Sequence, residues 1–174
     1  SICLSQNMKE GFTYLETGKY KQAETFFENI LITYPKNKTA KLCYGRAIGL
    51  NGNGKRASTI FINLLERYPQ DFEIKLNYAE SLLWDENYNK AKDYYKNLLK
   101  ENPNSFPALL GYANTLSNLK IFDEALNFID KALLISPGNL NALTSKKYIN
   151  LGFANQYVQN GDYKTALKIL LKNL

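Results

Sequence analysis

The sequence predicts an all-α fold, a solenoid of five helical hairpins stacked in the order of the chain. The prediction depends on three columns of residues that share one period of 34 residues. Prolines form the first column, at Pro35, Pro69, Pro103 and Pro137. Alanines form the second, at Ala23, Ala57, Ala91 and Ala125. Small residues form the third, at Gly11, Gly45, Ala79 and Ala113. Three columns with one period indicate an internal structural repeat.

Each period contains two stretches with the apolar spacing of a helix, joined by a short turn. In the third period the first stretch is marked by Tyr78, Leu82 and Leu83, and the second by Tyr88, Ala91, Tyr95 and Leu98. The turns are rich in Gly and Asn, which suit the left-handed residue that closes a helix. The proline follows the second stretch and cannot continue a helix. Small residues at one point of each helix allow its partner to approach closely.

This arrangement resembles the tetratricopeptide repeat, a helix-turn-helix unit of 34 residues. In the family's order, the small column is followed by Tyr14, Ile48, Leu82 and Leu116. The turn column is Tyr20, Gly54, Tyr88 and Phe122, and the column after the alanines is Phe27, Phe61, Tyr95 and Ile129. The resemblance covers nearly the whole chain and implies a single domain, 1–174, wound as a right-handed superhelix. Its repeats span 4–37, 38–71, 72–105, 106–139 and 140–174.

Two departures from the family pattern predict divergence and locally looser packing. The early Trp of the family is replaced by Asn7, Lys41, Lys75 and Leu109. In the second repeat, Gly54 replaces the aromatic residue of the turn column.

The fifth repeat carries seven additional residues. Its Ala154, Gly161 and Ala166 lie 41 residues after their counterparts in the fourth repeat. Seven residues rotate an α-helix by about 700°, which leaves its faces nearly aligned. We therefore predict one long helix from Leu140 to Gln159. A strict 34-residue step would bury Lys147 at the tightest contact and is rejected; a normal helix after a seven-residue loop stays open.

The resemblance also implies which positions face a concave groove that binds a partner. An apolar column consists of Met8, Leu42, Leu76, Leu110 and Leu151. A polar column consists of Phe12, Arg46, Glu80, Asn114 and Asn155, and a third column contributes Leu83 with Trp84 beside it. An exposed apolar stripe marks an interface, although packing between helices would also explain these leucines. Trp84 is either a partner anchor or a cap on its own turn.

The groove residues indicate the kind of ligand. The two asparagines, Asn114 and Asn155, can hold a peptide backbone through paired donors and acceptors. Some family members clamp a C-terminal carboxylate with Lys and Asn, but here the matching sites hold Met8 with Phe12 and Leu42 with Arg46. The carboxylate clamp is therefore absent. We predict a scaffold that binds a peptide or partner protein.

Composition argues against other function classes. The 174 residues include no histidine, which removes the commonest general base and zinc ligand. No nucleotide-binding or zinc-protease motif occurs, so we expect no enzyme, no cofactor and no metal site. The net charge is +6, and 22 residues are Lys or Arg. Only Arg46, Arg56 and Arg67 are arginines, which disfavours nucleic-acid binding. No apolar run approaches the roughly 20 residues of a membrane span.

The cellular setting stays open between cytoplasm and periplasm. A chain from Ser1 to Leu174 without a starting Met predicts a piece of a longer, bacterial protein. The stretch 83–88 is similar to turns in bacterial envelope proteins, so the alternative is a module of an outer-membrane or exopolysaccharide assembly. Cys3 and Cys43 do not reveal the redox compartment. The last helix ends in Ile169, Leu170 and Leu171 with nothing after it, which predicts contact with a further repeat, a partner or a second copy.

Overall fold

A computed structural model describes residues 8–171 of the chain, which form α-helices joined by short turns, with no strand within that range. The first five helices are α1 (Lys9–Glu16), α2 (Tyr20–Thr33), α3 (Lys38–Leu50), α4 (Gly54–Arg67) and α5 (Phe72–Trp84). The next five are α6 (Tyr88–Glu101), α7 (Phe106–Asn118), α8 (Phe122–Ile135), α9 (Leu140–Gln159) and α10 (Tyr163–Leu171). The all-α prediction is confirmed.

The helices form two compact units, Ser1–Asn87 and Tyr88–Leu174. Unit 1 contains α1 to α5, and unit 2 contains α6 to α10. Within each unit every helix packs against the next one along the chain. In addition, α3 contacts α5 within unit 1, and α7 contacts α9 within unit 2. These two pairs of first helices, each within one unit, therefore lie side by side. That one domain spans both units stays a prediction.

Most helices begin at a side-chain cap. The capping oxygen accepts a hydrogen bond of 2.9–3.4 Å from the backbone N–H three residues later. These caps are Asn37, Asn53, Asp71, Ser105 and Asn139. Such a cap typically contributes about 1 kcal/mol of helix stability. Short polar residues thus set the starts of these five helices.

The middle residue of the turn between two helices is left-handed in every repeat. Gly18, Gly52 and Gly161 have φ values of 73°, 93° and 79°. The same position is taken by Glu86 at 56° and Lys120 at 60°. Glycine adopts this region without steric cost, whereas other L-residues do so at a penalty. The backbone geometry of the turn is therefore maintained even where glycine is absent.

The small column makes room for an aromatic ring of the second helix. A Cβ atom on Gly11 would stand 2.6 Å from Phe27 Cζ, and one on Gly45 would stand 2.7 Å from Phe61 Cζ. Both rings are fully buried. The close approach predicted at these positions is thus between a ring and a helix backbone. A larger residue at either glycine would displace the ring from the core.

The long helix predicted in the fifth repeat is confirmed. Helix α9 runs without interruption from Leu140 to Gln159, 20 residues compared with 13 in α7. Ala154 occupies the small position and is buried, whereas Lys147 is exposed. The seven additional residues therefore lengthen the helix by about 10 Å without rotating its packed face away from the core.

The looser packing predicted at Gly54 is wrong. A Cβ atom on this residue would stand 2.5 Å from the backbone nitrogen of Asp85 and 2.6 Å from the carbonyl carbon of Trp84. The backbone at the end of α5 therefore occupies the space that an aromatic turn residue would fill. Gly54 therefore permits a close contact between the two backbones.

Candidate functional site

A cleft in unit 1 brings together several of the predicted groove residues. Its volume is about 420 Å³ and it extends across α1, α3 and the start of α5. Phe12 on α1 faces Leu42 and Arg46 on α3 across this space. The remaining lining residues are Leu15, Glu16, Lys38, Thr39, Cys43 and Glu73. We call this the groove cleft. Its mixture of apolar and charged side chains suits a peptide better than it suits a uniformly apolar ligand.

Arg46 and Glu80 form the polar centre of this region. Burial raises the pKa of the Glu80 carboxyl, and the positive charge of Arg46 partly opposes that rise. The Nε atom of Arg46 is buried and has no hydrogen-bond partner among the described residues. A buried donor without a partner costs roughly 1–3 kcal/mol. A ligand oxygen could pair with this donor if the Arg46 side chain, which lines the cleft, turned its Nε toward the open space.

The predicted groove residues of unit 2 lie on α7 and α9. Leu110 and Asn114 on α7 are half-buried. Leu151 and Asn155 on α9, which packs beside α7, are exposed. These four side chains are accessible, so their role in binding stays a prediction.

The apolar column is not uniform in exposure. Met8 and Leu42 are only 8% and 5% exposed, so they contribute mainly to the core of unit 1. Met8 packs in a cluster with Ala23 and Phe27, while Leu42 also forms part of the cleft floor. Leu76 is half-buried. Helix packing therefore accounts for the first two members of the column, whereas Leu76, Leu110 and Leu151 keep accessible surface.

Trp84 packs against the second repeat. A Cβ atom on Gly49 would stand 2.0 Å from Cε3 of the Trp84 indole, so the ring lies directly on the backbone of α3. Trp84 and its neighbour Leu83 both remain half-buried. The indole thus joins α5 to α3, a packing role that the sequence interpretation limited to its own turn.

A polar network in unit 1 was missed by sequence reasoning. The buried Glu24 carboxylate on α2 accepts hydrogen bonds from Arg56 Nη1 at 2.9 Å, Asn51 Nδ2 at 3.1 Å and Lys21 Nζ at 3.2 Å. Arg56 also donates to the Tyr44 hydroxyl at 2.6 Å. Burial acts to raise the pKa of Glu24, but the hydrogen bonds from Lys21, Arg56 and Asn51 outweigh it and hold the pKa below its ordinary value. The network connects the first two hairpins.

Cys43 lies at the edge of the groove cleft, and its thiol has low nucleophilic reactivity. Its side chain is buried, and burial raises the pKa of the thiol to about 11. At neutral pH the thiol is almost entirely protonated, which suppresses nucleophilic reactivity. Cys3, like Asn7, lies outside the described residues.

Exposed apolar side chains concentrate in unit 2. Of the large apolar residues that are exposed in the described part of the chain, most lie between Leu134 and Leu171. They are Leu134, Ile135, Leu140, Leu143, Tyr148, Leu151, Val158, Tyr163, Leu167, Leu170 and Leu171. Sequence analysis identified the last two as uncovered and placed Leu151 in the groove. Leu134 and Ile135 end α8, and the others lie on α9 and α10, where the weak amphipathicity of α9 conceals them.

The described residues contain no group of three or more His, Cys, Asp or Glu side chains placed to hold a metal ion. None of their helices combines the length and the apolar character that a membrane crossing needs.

Family models and solved structures share these features. One tetratricopeptide-repeat model matches residues 82–146, and another matches residues 8–37. MamA from strain AMB-1 is similar with a TM-score of 0.64 and 21% identity, over 99% of this chain and 98% of that chain. MamA from Desulfovibrio magneticus RS-1 has a TM-score of 0.68 at 16% identity, over 97% and 92% of the two chains. A tetratricopeptide repeat protein from Parabacteroides merdae has a TM-score of 0.63 at 17% identity, over 99% and 79%.

No curated protein matches the chain significantly. At these identities the structural likenesses establish the fold. Folds of this class present extended surfaces on which protein partners bind. The two family matches, the regular helix spacing and the shared fold agree with one another, and the chain belongs to the tetratricopeptide-repeat family.

Proposed function

We propose that the chain is a protein-interaction scaffold and that an extended peptide segment of its partner binds in the groove cleft. The observation that carries this proposal is the buried Nε–H of Arg46, which lacks a partner at the cleft. Buried donors in folded proteins are nearly always paired. A backbone carbonyl of a bound peptide would supply the acceptor once the Arg46 side chain turns its Nε toward the cleft, and Phe12 would contact a neighbouring apolar side chain.

Glu80 and the unit 2 residues extend the proposal. Burial already disfavours the charged form of Glu80, so a backbone N–H of the peptide would stabilise its carboxylate. Leu110, Asn114, Leu151 and Asn155 are proposed to contact further residues of the partner. Binding rather than catalysis is the proposed role, and the envelope-module alternative and the absence of enzymatic activity both stay predictions.

To test this proposal, peptide ligands would first be selected, and their binding to variants with substituted groove residues would then be measured. Dodecapeptides would be selected from a phage-displayed random library on the intact chain and their affinities measured by calorimetry. We expect Arg46→Met and Glu80→Arg each to weaken binding at least about tenfold, a loss of roughly 1.4 kcal/mol. Leu110→Glu tests the separate proposal that a partner contacts unit 2. Lys55→Glu, an exposed change on α4 outside the groove, serves as the control.

Circular dichroism would confirm that each variant keeps its helical content. Equal affinity for the intact chain, Arg46→Met and Glu80→Arg would rule out the groove cleft as the binding site.

A second proposal concerns the exposed apolar residues of unit 2. We infer that a second copy of the chain covers exposed apolar side chains of α9 and α10, among them Leu143 and Leu167, because isolated apolar side chains are ordinary but a concentration of them marks an interface. Sedimentation equilibrium at micromolar to millimolar concentration should show a dimer. Leu143→Lys with Leu167→Lys should shift it to monomer.

The matched control replaces two equally apolar, exposed residues of unit 1, Ile32→Lys with Ile62→Lys. This pair should leave the dimer intact. A monomer at every concentration, or a dimer that withstands the unit 2 changes, contradicts self-association through these side chains.

A further inference from the structure

A second depression in unit 1 has an apolar floor. Its volume is about 260 Å³, and it lies among α2, α3 and α4. Leu31, Ile60 and Leu64 form the floor, and the rings of Tyr44 and Tyr68 form part of the wall. A closed cavity of about 150 Å³ already accepts a benzene ring. This depression is therefore large enough for one aromatic side chain and too small for most drug-sized ligands.

Four cations surround this floor. They belong to Lys36, Lys38, Lys41 and Arg67, and among the described lining residues none is acidic. Lys38 makes an ion pair with Asp71. No carboxylate within residues 8–171 pairs with the other three cations. We call the depression the basic cavity. Its rim carries positive charge that the described part of the chain does not neutralise.

The basic cavity and the groove cleft use different faces of α3. Lys41 and Tyr44 line the basic cavity, whereas Leu42 and Arg46 line the groove cleft. With about 100° between successive residues, these two pairs point in roughly opposite directions. Lys38, at the start of the helix, reaches both. A ligand in the basic cavity would therefore leave most of the groove cleft free.

The repeat architecture accounts for the apolar floor of the basic cavity but not for its positively charged rim. Unit 2 has a cavity at the equivalent place, where Leu99, Tyr112 and Phe128 correspond to Leu31, Tyr44 and Ile60. The residues equivalent to the four cations are all uncharged: Asn104, Phe106, Leu109 and Ile135. The unit 2 cavity has its own lysines, but its lining also includes the acidic Glu124. The fully basic rim is thus a property of unit 1 and not a by-product of helix stacking.

We propose that the basic cavity is a second interaction surface, which binds an acidic peptide segment by taking one aromatic side chain onto its apolar floor while flanking carboxylates meet Lys36, Lys41 and Arg67. Charge complementarity selects the acidic flanks and speeds association. The apolar floor selects the aromatic anchor, because buried aromatic residues contribute most of the affinity of small interfaces.

The probe for this surface is a fluorescein-labelled nonapeptide with a central Phe between two pairs of Glu, measured by fluorescence polarisation at low salt. Saturable binding is expected. Replacing Phe by Ala, or all four Glu by Gln, should each weaken binding at least about tenfold. Because these changes are in the peptide, they leave the fold of the protein untouched.

Changes in the protein locate the site. Lys36→Glu with Arg67→Gln, both at exposed residues, should weaken binding at least about tenfold. The matched control, Lys100→Glu with Lys131→Gln in the unit 2 cavity, should change it less than about twofold. Amide shifts of Tyr44, Ile60 and Leu64 should move on titration.

This proposal stands apart from groove binding, and Glu80→Arg separates the two. That variant should keep its affinity for the acidic peptide while it loses the selected groove ligands. No saturable binding, equal binding of the three peptides, or a loss with Glu80→Arg comparable to that with the Lys36/Arg67 variant would each overturn the proposal.

Discussion

Replacing Gly49 by alanine should destabilise unit 1 by about 1–3 kcal/mol, the usual cost of overpacking a closed site. The new methyl group would stand 2.0 Å from Cε3 and 2.1 Å from Cζ3 of the Trp84 indole. The ring is rigid and joins α5 to α3, so it cannot yield without moving one helix. Urea unfolding followed by circular dichroism measures the change.

The effect should reverse when the indole is removed. In a Trp84→Ala background the obstacle is gone, and alanine is favoured over glycine inside a helix by up to about 1 kcal/mol. Gly49→Ala should then stabilise the protein. Gly138→Ala, where a Cβ atom meets nothing within 4 Å, is the control and should be nearly neutral. Additive effects of Gly49→Ala and Trp84→Ala would refute direct contact as the cause.

Replacing Arg56 by alanine should cost about 1–3 kcal/mol at neutral pH, because the buried Glu24 carboxylate loses a charged donor. The guanidinium is about half exposed, with 47% of its side-chain surface accessible, so the lower half of that range is expected. The same substitution removes the hydrogen bond to Tyr44. Lys55→Ala, which removes an exposed charge from the same helix, should change the free energy of unfolding by less than about 0.5 kcal/mol.

Lowering the pH should reduce the destabilisation caused by Arg56→Ala. The pKa of Glu24 is lowered in the folded protein, so its network stabilises the fold above the ordinary value of 4.5 and loses that contribution as pH falls through the folded pKa. The difference between wild type and Arg56→Ala should therefore shrink below about pH 4.5. Lys38 lowers the pKa of Asp71 in both proteins, so the contribution of Asp71 to the pH dependence cancels in this difference. A difference that stays constant down to pH 3 would mean that Arg56 acts through packing alone.

The period of the sequence predicted helix positions closely because helix formation depends on local spacing. The clearest example is α9, whose ends at Leu140 and Gln159 follow from a seven-residue insertion that preserves the packed face. The small column was also predicted correctly as a set of close contacts. Its partner was not: the sequence cannot show that a ring of Phe27 or Phe61, rather than a backbone, lies on the glycine.

Contacts between repeats were harder to predict because they join residues far apart in the chain. Gly54 meets the backbone of Asp85, and Trp84 meets Gly49, and neither pair has a sequence signature. Nothing in the sequence signals that Glu24 on α2 is buried, because its partners Arg56 and Asn51 come from the next repeat. The exposure of the groove residues likewise depends on how neighbouring helices cover them.

The burial of Cys43 has a kinetic consequence. A protonated thiol enclosed by the helices of unit 1 reacts with a disulfide reagent only while those helices are apart. In a chain with Cys3 changed to serine, the rate at which Cys43 reacts with a coloured disulfide reagent would measure how often unit 1 opens. Because Cys43 lines the groove cleft, a peptide bound there would slow the reaction by covering the thiol and by holding α1 and α3 together. The reaction rate of this one sulfur atom would therefore report on occupancy of the cleft.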